Sequence, residues 1–177
     1  MVNWGIIFKE TILQQPLVYR VRRNHGLEHA TLHLLARKYP RTSMAGHSDL
    51  SGFWILGDVP TEDVGAAAVE ALLRMKAGET NLAVHPNCGT NLATTGFLAS
   101  LAGFLVMLGA GRRLRDKLER LPAAISLATL AVFLARPLGY FFQANVTASG
   151  EPGTLEIVEV RPAKRGWMRA HRVVTRG

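Results

Sequence analysis

The stretch that decides the fold of this chain is residues 91–111, which read NLATTGFLASLAGFLVMLGAG. It contains no charged residue, and its apolar centre at residues 96–108 is rich in leucine, alanine and phenylalanine. A helix needs about 20 mainly apolar residues to cross the hydrocarbon core of a bilayer. The stretch therefore predicts a transmembrane helix, in which small residues at positions 99, 103, 109 and 110 would allow close helix packing.

A second apolar run, at residues 121–142, follows after a short charged connection. Its only charged residue is Arg136, near the end of the run, where a long side chain can reach the headgroups. Pro137 and Tyr140 indicate that this end is interfacial or kinked. Two such runs predict a transmembrane helical hairpin and a multi-pass protein of the cell (inner) membrane. The alternative is a buried helical hairpin in a soluble protein.

The chain is basic, because 21 Lys and Arg residues against 13 Asp and Glu residues give a net charge of +8 over 177 residues. The connection at residues 112–120, RRLRDKLER, gives the hairpin a charged tip. We expect the lipid bilayer and its anionic headgroups as partners, with a membrane-protein partner as a further candidate. No nucleic-acid-binding motif accompanies the charge, so we expect no nucleic-acid partner.

The sequence predicts an α+β membrane protein of four segments. Residues 1–23 have the pattern of an amphipathic helix on the membrane surface, or of a plain docking helix. Residues 24–90 form a small α/β module in the order helix, strand, helix, strand. Residues 91–142 are the two-helix hairpin. Residues 143–177 hold a short strand and a basic tail, which lies on headgroups, is disordered, or binds an acidic partner.

Within the α/β module, Asn24 is the predicted N-cap of a helix over residues 25–38. An apolar run at residues 53–56 predicts a strand, and the helical period after Thr61 predicts a second helix that ends at residues 77–78. Residues 81–84 are then the next strand. The segment between the first helix and the first strand, residues 46–52, is turn-rich.

The first predicted helix begins with the run HGLEH at residues 25–29. His25 and His29 are four residues apart and share one helical face, with Glu28 beside them. Two neutral imidazoles suit zinc, and a carboxylate that does not bind the metal can act as general base toward a metal-bound water. The order H-x-x-E-H is the inverted zincin signature. The plain alternative is a solvated helix face.

A second block, HPNCGT at residues 85–90, provides an imidazole at His85 and a thiol at Cys88. Cys88 is the only cysteine, which excludes an intramolecular disulfide. Alone, the block indicates a tight turn with a buried cysteine; with His25 and His29 it completes a set of three or four zinc ligands. We interpret His33 as a residue behind the ligands or on the surface, and Asp49 as an orienting carboxylate or part of a polar loop.

Together the two blocks resemble the YqhQ-like bacterial membrane proteins of unknown function, which carry an H-G-A-E-H block and an H-P-R-C-G-T block that leads into a membrane helix. Here the blocks are HGLEHA and HPNCGT, in the same order and before the same kind of apolar run. The resemblance implies a membrane protein with a shared polar site and supplies no reaction. This chain lacks that family's glycine-rich N-terminal block and extra N-terminal spans, as a shorter relative or a sister family would.

A more local similarity is to the insulinase-like metallopeptidases, whose motif is written H-F-L-E-H. It implies His25 and His29 as ligands and Glu28 as the base. The glutamate that serves as third ligand in that family has no counterpart at the usual distance, since only Glu70 and Glu79 lie nearby, and the chain is too short for the repeated large domains of those enzymes.

Two functions follow as hypotheses. The first is a membrane-anchored metal-dependent hydrolase in which His25, His29 and His85 bind zinc, Glu28 activates water, and Cys88 is a fourth ligand or a neighbour. The second is a non-catalytic scaffold or assembly protein in which the same four ligands close a structural site. Enzyme chemistry needs an open coordination position, and a structural site does not.

Overall fold

The structure is a computed structural model that describes residues 12–177. Of the segment expected to form an amphipathic N-terminal helix, residues 1–23, residues 1–11 therefore lie outside the described residues. The described chain divides into two compact units. The first contains residues 12–85 and 144–177, and the second contains residues 86–143. The fold is a mixed α+β one with a small antiparallel sheet.

The first unit is built on a four-stranded sheet in the order β1-β2-β4-β3. The strands are β1 (Ala45–Asp49), β2 (Gly52–Leu56), β3 (Glu156–Arg165) and β4 (Met168–Arg176), and each neighbouring pair is antiparallel. One face carries Phe53, Ile55 and Val173, which are fully buried. This face supplies the sheet side of the hydrophobic core.

Two helices pack on that sheet: α1 (Pro16–Lys38) contacts β1 and β2, and α2 (Thr61–Lys76) contacts β3 and β4. A short 3-10 helix at Thr80–Ala83 follows α2 and packs on α1. The apolar period of α2 is the one that the sequence predicts, and all of its members are buried. They are Val64, Ala67, Ala68, Ala71, Leu72 and Met75.

The first helix begins earlier than the sequence predicts, and the assignment of Asn24 as an N-cap is wrong. Pro16 occupies the first turn, where a proline costs no hydrogen bond. Asn24 lies in the middle of α1 and is fully buried. Its amide donates to the Asp49 carbonyl oxygen at 2.8 Å, and its oxygen accepts from the Thr175 hydroxyl at 2.7 Å. The side chain therefore links α1 to β1 and β4.

The other corrections concern strands. The strand predicted at residues 81–84 is the 3-10 helix, and the turn-rich segment before β2 contains β1, paired with β2 as a hairpin. The basic tail is not a disordered segment: it contains the end of β3 and the whole of β4, an inner strand of the sheet. Its contact with headgroups or with an acidic partner stays a prediction. Because β4 is covered on both faces, it lacks the simple alternation that would reveal it.

The second unit is a helical hairpin of α3 (Gly89–Met107) and α4 (Leu114–Phe142). Both helices are long and apolar enough to cross a membrane, judged by length and composition. No residue of α3 is buried, and its large apolar side chains Leu92, Phe97 and Phe104 are 77%, 67% and 60% exposed. In a soluble protein a core helix would bury these side chains.

The two helices of the hairpin contact each other near the charged tip and at Gly139. The guanidinium of Arg120 donates to the carbonyl oxygens of Val106 and Leu108 at 3.1 and 2.9 Å, which satisfies the C-terminal end of α3. A Cβ at Gly139 would lie 3.1 Å from the Asn91 Cα. Gly103, expected to allow close packing, has open space around it, and α4 continues through Pro137 to Phe142.

Candidate metal centre

Helix α1 carries three histidines at intervals of four residues, His25, His29 and His33. Side chains with this spacing lie one turn apart on the same side of a helix. The ring centroids of His25 and His29 are 4.3 Å apart, and the nitrogens that the two rings offer lie within 4.8 Å of each other. The structure therefore brings together the two histidines of the HGLEH motif in an arrangement that could hold a metal ion.

Backbone carbonyl oxygens determine which nitrogen of each of these two rings carries the proton. The Nδ1–H of His25 donates to the Thr147 carbonyl oxygen at 2.9 Å, and that of His29 donates to the Ala83 carbonyl oxygen at 2.6 Å. A carbonyl oxygen can only accept, so each Nδ1 carries the proton and each Nε2 keeps a lone pair. Metal-bound histidines usually have such a second hydrogen bond, which orients the ring and raises its basicity.

His85 enters the same cluster from the end of the first unit. Its ring centroid lies 5.7 Å from that of His29 and 4.6 Å from that of His33. The Nε2–H of His33 donates to the Val84 carbonyl oxygen at 2.8 Å, which leaves its Nδ1 with the lone pair. The four imidazoles thus form one cluster within the first unit.

His33 is the member of this cluster that sequence reasoning missed. On a helical wheel His33 lies 80° from His25 but only 40° from His29. Its contact with His85 depends on where the chain after the 3-10 helix returns to α1, which no local pattern reveals. A third histidine at the same four-residue interval was the available signal.

His85 is electrostatically suited to bind a cation as a neutral ligand. Burial, with smaller effects from His33 and His29, lowers its pKa from 6.5 to about 4. At neutral pH the ring is uncharged and keeps a lone pair. A metal ion therefore does not have to compete with a proton for this nitrogen near pH 7.

Glu28 is buried, with 4% of its surface exposed, between the two histidines in sequence. Its carboxylate lies against Gly46 of β1, where a Cβ would meet the Glu28 side chain. A glycine in β1 therefore makes room for this carboxylate beside the sheet. The role of Glu28 as a general base stays a prediction.

Gly26 lets the motif approach the chain that follows the hairpin. A Cβ at this position would meet the Ser149 carbonyl group and lie 3.2 Å from the Cβ of Ala83. The same segment provides the Thr147 carbonyl oxygen that binds His25. The glycine in HGLEH thus allows α1 to come close to the backbone that orients its histidines.

The predicted fourth ligand, Cys88, belongs to the second unit. It is buried, is the N-cap residue of α3, and its sulfur accepts a hydrogen bond from the Thr90 N–H at 3.4 Å. Because Cys88 follows His85 by three residues, the Cα atoms of these two residues lie within about 11 Å of each other. Its participation in the site stays a prediction.

Asp49 does not orient an imidazole. Its carboxylate accepts two hydrogen bonds from the Arg172 guanidinium, at 2.8 and 2.7 Å, and one from the Ser51 N–H. Arg172 is 5% exposed and also stacks on Trp54, 5.0 Å from the ring centroid. This pair ties β1 to β4 and uses one of the basic residues that the sequence analysis assigned to lipid contact.

Residues 20–160 match a family described as a domain of unknown function, DUF6391. The chain belongs to the DUF6391 family. It is also 36% identical over 140 residues to an uncharacterised protein of Picosynechococcus sp.. That match covers 73% of this chain and 66% of the relative, so the DUF6391 chain spans about two thirds of the relative's length. No solved structure matches it.

Both histidine blocks lie inside the matched part of this DUF6391 chain. The matches support an uncharacterised bacterial family. They leave the YqhQ-like resemblance as a similarity of two short blocks. They also carry no statement about a metal or a reaction, so the chemistry rests on the histidine cluster.

Proposed function

We propose that the protein is a membrane-anchored zinc-binding protein in which His25, His29 and His85 hold the ion. The main support is the pair of carbonyl hydrogen bonds that orient the rings of His25 and His29 and place the ring proton of each on Nδ1. His85, whose low pKa keeps it neutral, lies beside His29.

Zinc is the metal that this donor set fits best. Three imidazole nitrogens suit Zn²⁺ as well as Ni²⁺ and Cu²⁺, and a thiolate would favour zinc among the common cellular ions. We propose Cys88 as the fourth ligand or a neighbour of the ion, since it follows His85 by only three residues. Both roles are compatible with tetrahedral coordination.

We further propose that the site is hydrolytic, with Glu28 as the general base. Three protein ligands would leave one position for water, and a bound zinc would lower the pKa of that water to about 7. Glu28 is adjacent to His29 in sequence and is shielded from solvent. A shielded carboxylate beside a metal is the arrangement that accepts a proton from a bound water.

A structural zinc site is the second candidate, and one observation favours it. The three histidines of α1 bind the carbonyl oxygens of Thr147, Ala83 and Val84, which belong to two separate segments. A metal site with four protein ligands at this position would hold those two segments against α1. In this case all four ligands come from the protein, and the chain is a scaffold or assembly protein.

The membrane part of the proposal rests on the hairpin. Its helices are long and apolar enough to span a bilayer, and their apolar side chains are exposed. We propose a multi-pass protein of the cell membrane that contacts anionic headgroups and, as a scaffold, a membrane-protein partner. This proposal is based on the charged tip at residues 112–120 and on the two helices.

Substitution of cobalt for zinc separates the two candidates. We expect the Co²⁺ protein to show the visible absorption bands of a tetrahedral site, and these bands to shift when azide replaces a bound water. Loss of a sulfur-to-cobalt charge-transfer band in Cys88→Ser would show that Cys88 is a ligand. Bands that azide leaves unchanged would contradict the hydrolase and support the structural site.

Glu28→Gln tests the base, with Glu159→Gln on the exposed side of β3 as the matched control. As probes we would use p-nitrophenyl acetate and bis(p-nitrophenyl) phosphate with the zinc-loaded protein. We expect Glu28→Gln to keep the metal and to lose about 100-fold or more in rate, because it removes a general base. Equal rates in both variants would exclude Glu28 as the base.

A further inference from the structure

The second unit contains a cavity of about 570 Å³ whose lining includes Cys88, the proposed fourth metal ligand, together with residues that the metal chemistry does not use. On α4 it is lined by Val132, Arg136 and Tyr140, which are four residues apart and so share one helical face. On α3 the lining includes Leu92 and Thr95. The cavity therefore has apolar walls and polar groups, one of them a guanidinium.

Arg136 is the unusual member of this lining. It is the only charged residue between residues 121 and 142, and among residues 12–177 it forms no hydrogen bond or ion pair. An arginine within an apolar span is costly unless an anion or water meets it, and it commonly marks a functional site. The structure provides no carboxylate among the residues that line the cavity.

The position of the cavity along α3 indicates what kind of anion it meets. Helix α3 has 19 residues and is therefore about 28 Å long, which matches the hydrocarbon thickness of a bilayer. Leu92 and Thr95 lie in its first two turns. In a hairpin that spans the bilayer, the cavity therefore lies where the hydrocarbon region meets the headgroups.

We propose that this cavity binds the phosphate group of an anionic phospholipid. The Arg136 guanidinium donates a bidentate pair of hydrogen bonds to the phosphate oxygens, the geometry that arginine and phosphate share. The hydroxyl groups of Tyr140 and Thr95 provide further donors. Val132 and Leu92 contact the start of an acyl chain. This inference rests on the proposed membrane insertion and uses no histidine of the metal site.

The test uses the full-length protein reconstituted in phosphatidylcholine nanodiscs that contain a minor share of phosphatidylglycerol. Retained lipid is measured by native mass spectrometry after gentle detergent release. The variant is Arg136→Gln. The matched control is Arg41→Gln, which removes the same charge from an exposed turn before β1, outside the hairpin.

We expect the wild type and Arg41→Gln to retain phosphatidylglycerol, and Arg136→Gln to retain about tenfold less, the loss that one charge-assisted contact predicts. Equal retention by all three proteins would overturn the proposal, as would an equal loss in both variants. Inorganic phosphate, added in place of the lipid, separates the two sources of phosphate. Binding of phosphate that depends on Arg136 without retention of the lipid would overturn the assignment to a lipid.

Failure of the membrane proposal gives a different result. In that case the protein does not enter the nanodiscs at all, and the lipid site is overturned with it. Zinc content measured on the same samples reports the metal proposal separately, because Arg136 is not among the proposed ligands.

Discussion

Gly26 is the residue of the HGLEH motif whose identity follows most directly from packing. Helix α1 approaches the backbone at Ser149 so closely that any Cβ at this position would meet its carbonyl group. Gly65 in α2 is a helical glycine with room, since the nearest atoms, on Val160, would be 3.9 Å from a Cβ. The two positions therefore form a matched pair.

We expect Gly26→Ala to lower the free energy of unfolding by about 1–3 kcal/mol, because backbone must move to admit the methyl group. Gly65→Ala should leave it unchanged or raise it by up to about 1 kcal/mol, since alanine favours a helix. Denaturant unfolding followed by circular dichroism measures both. A tolerated Gly26→Ala would contradict the close approach.

The low pKa of His85 has a consequence for stability without metal. Its pKa in the folded protein, about 4, is below the ordinary histidine value of 6.5, so the unfolded chain binds a proton first as the pH falls. The stability of the chelator-treated protein should therefore be constant above pH 6.5 and decline toward pH 4. His85→Gln should flatten this part of the profile, and an unchanged profile would contradict the assigned environment.

At the residue scale the sequence identified much of the candidate site. The spacing of His25 and His29 predicts neighbouring rings because it depends only on helix geometry. His33 and the carbonyl partners could not be predicted in the same way. They depend on two segments, near residues 83 and 147, that return to α1 from more than 50 residues away.

The elements that were predicted correctly are those defined by local signals. Helix α2 begins at Thr61 and has six apolar residues at helical spacing, and β2 is a short apolar run. Strand β4 escaped prediction because its basic residues have structural partners that lie far away in sequence, such as Asp49 for Arg172. The 3-10 helix was mistaken for a strand because four residues are too few to show a period.

Within the hairpin, the contact between α3 and α4 depends on Gly139. We expect Gly139→Ala to lower the thermal stability of the purified protein in detergent by the equivalent of about 1–3 kcal/mol, because a Cβ would meet Asn91. Gly96→Ala, at a position with open space, is the control and should have no such effect. Equal melting temperatures for both variants would contradict the packing of the hairpin.

For the whole molecule, the exposed apolar surface of the second unit predicts firm membrane insertion. We expect the wild-type protein to stay in the membrane fraction after extraction with alkaline carbonate. Leu101→Asp, in the middle of α3, should weaken insertion by about 2.5–3.5 kcal/mol and release part of the protein. Leu118→Asp, in the charged connection, should behave like the wild type. Full release of the wild type would contradict a spanning hairpin.

We propose that His25, His29 and His85, which all lie in the first unit, together bind one ion. Elemental analysis of the purified full-length protein tests it most directly, with His29→Ala and His85→Ala as variants and His47→Ala, on the exposed side of β1, as the control. We expect about one zinc per chain in the wild type and the control, and its loss in both variants. A wild type without metal, or a zinc content that His85→Ala leaves unchanged, would contradict the proposed centre.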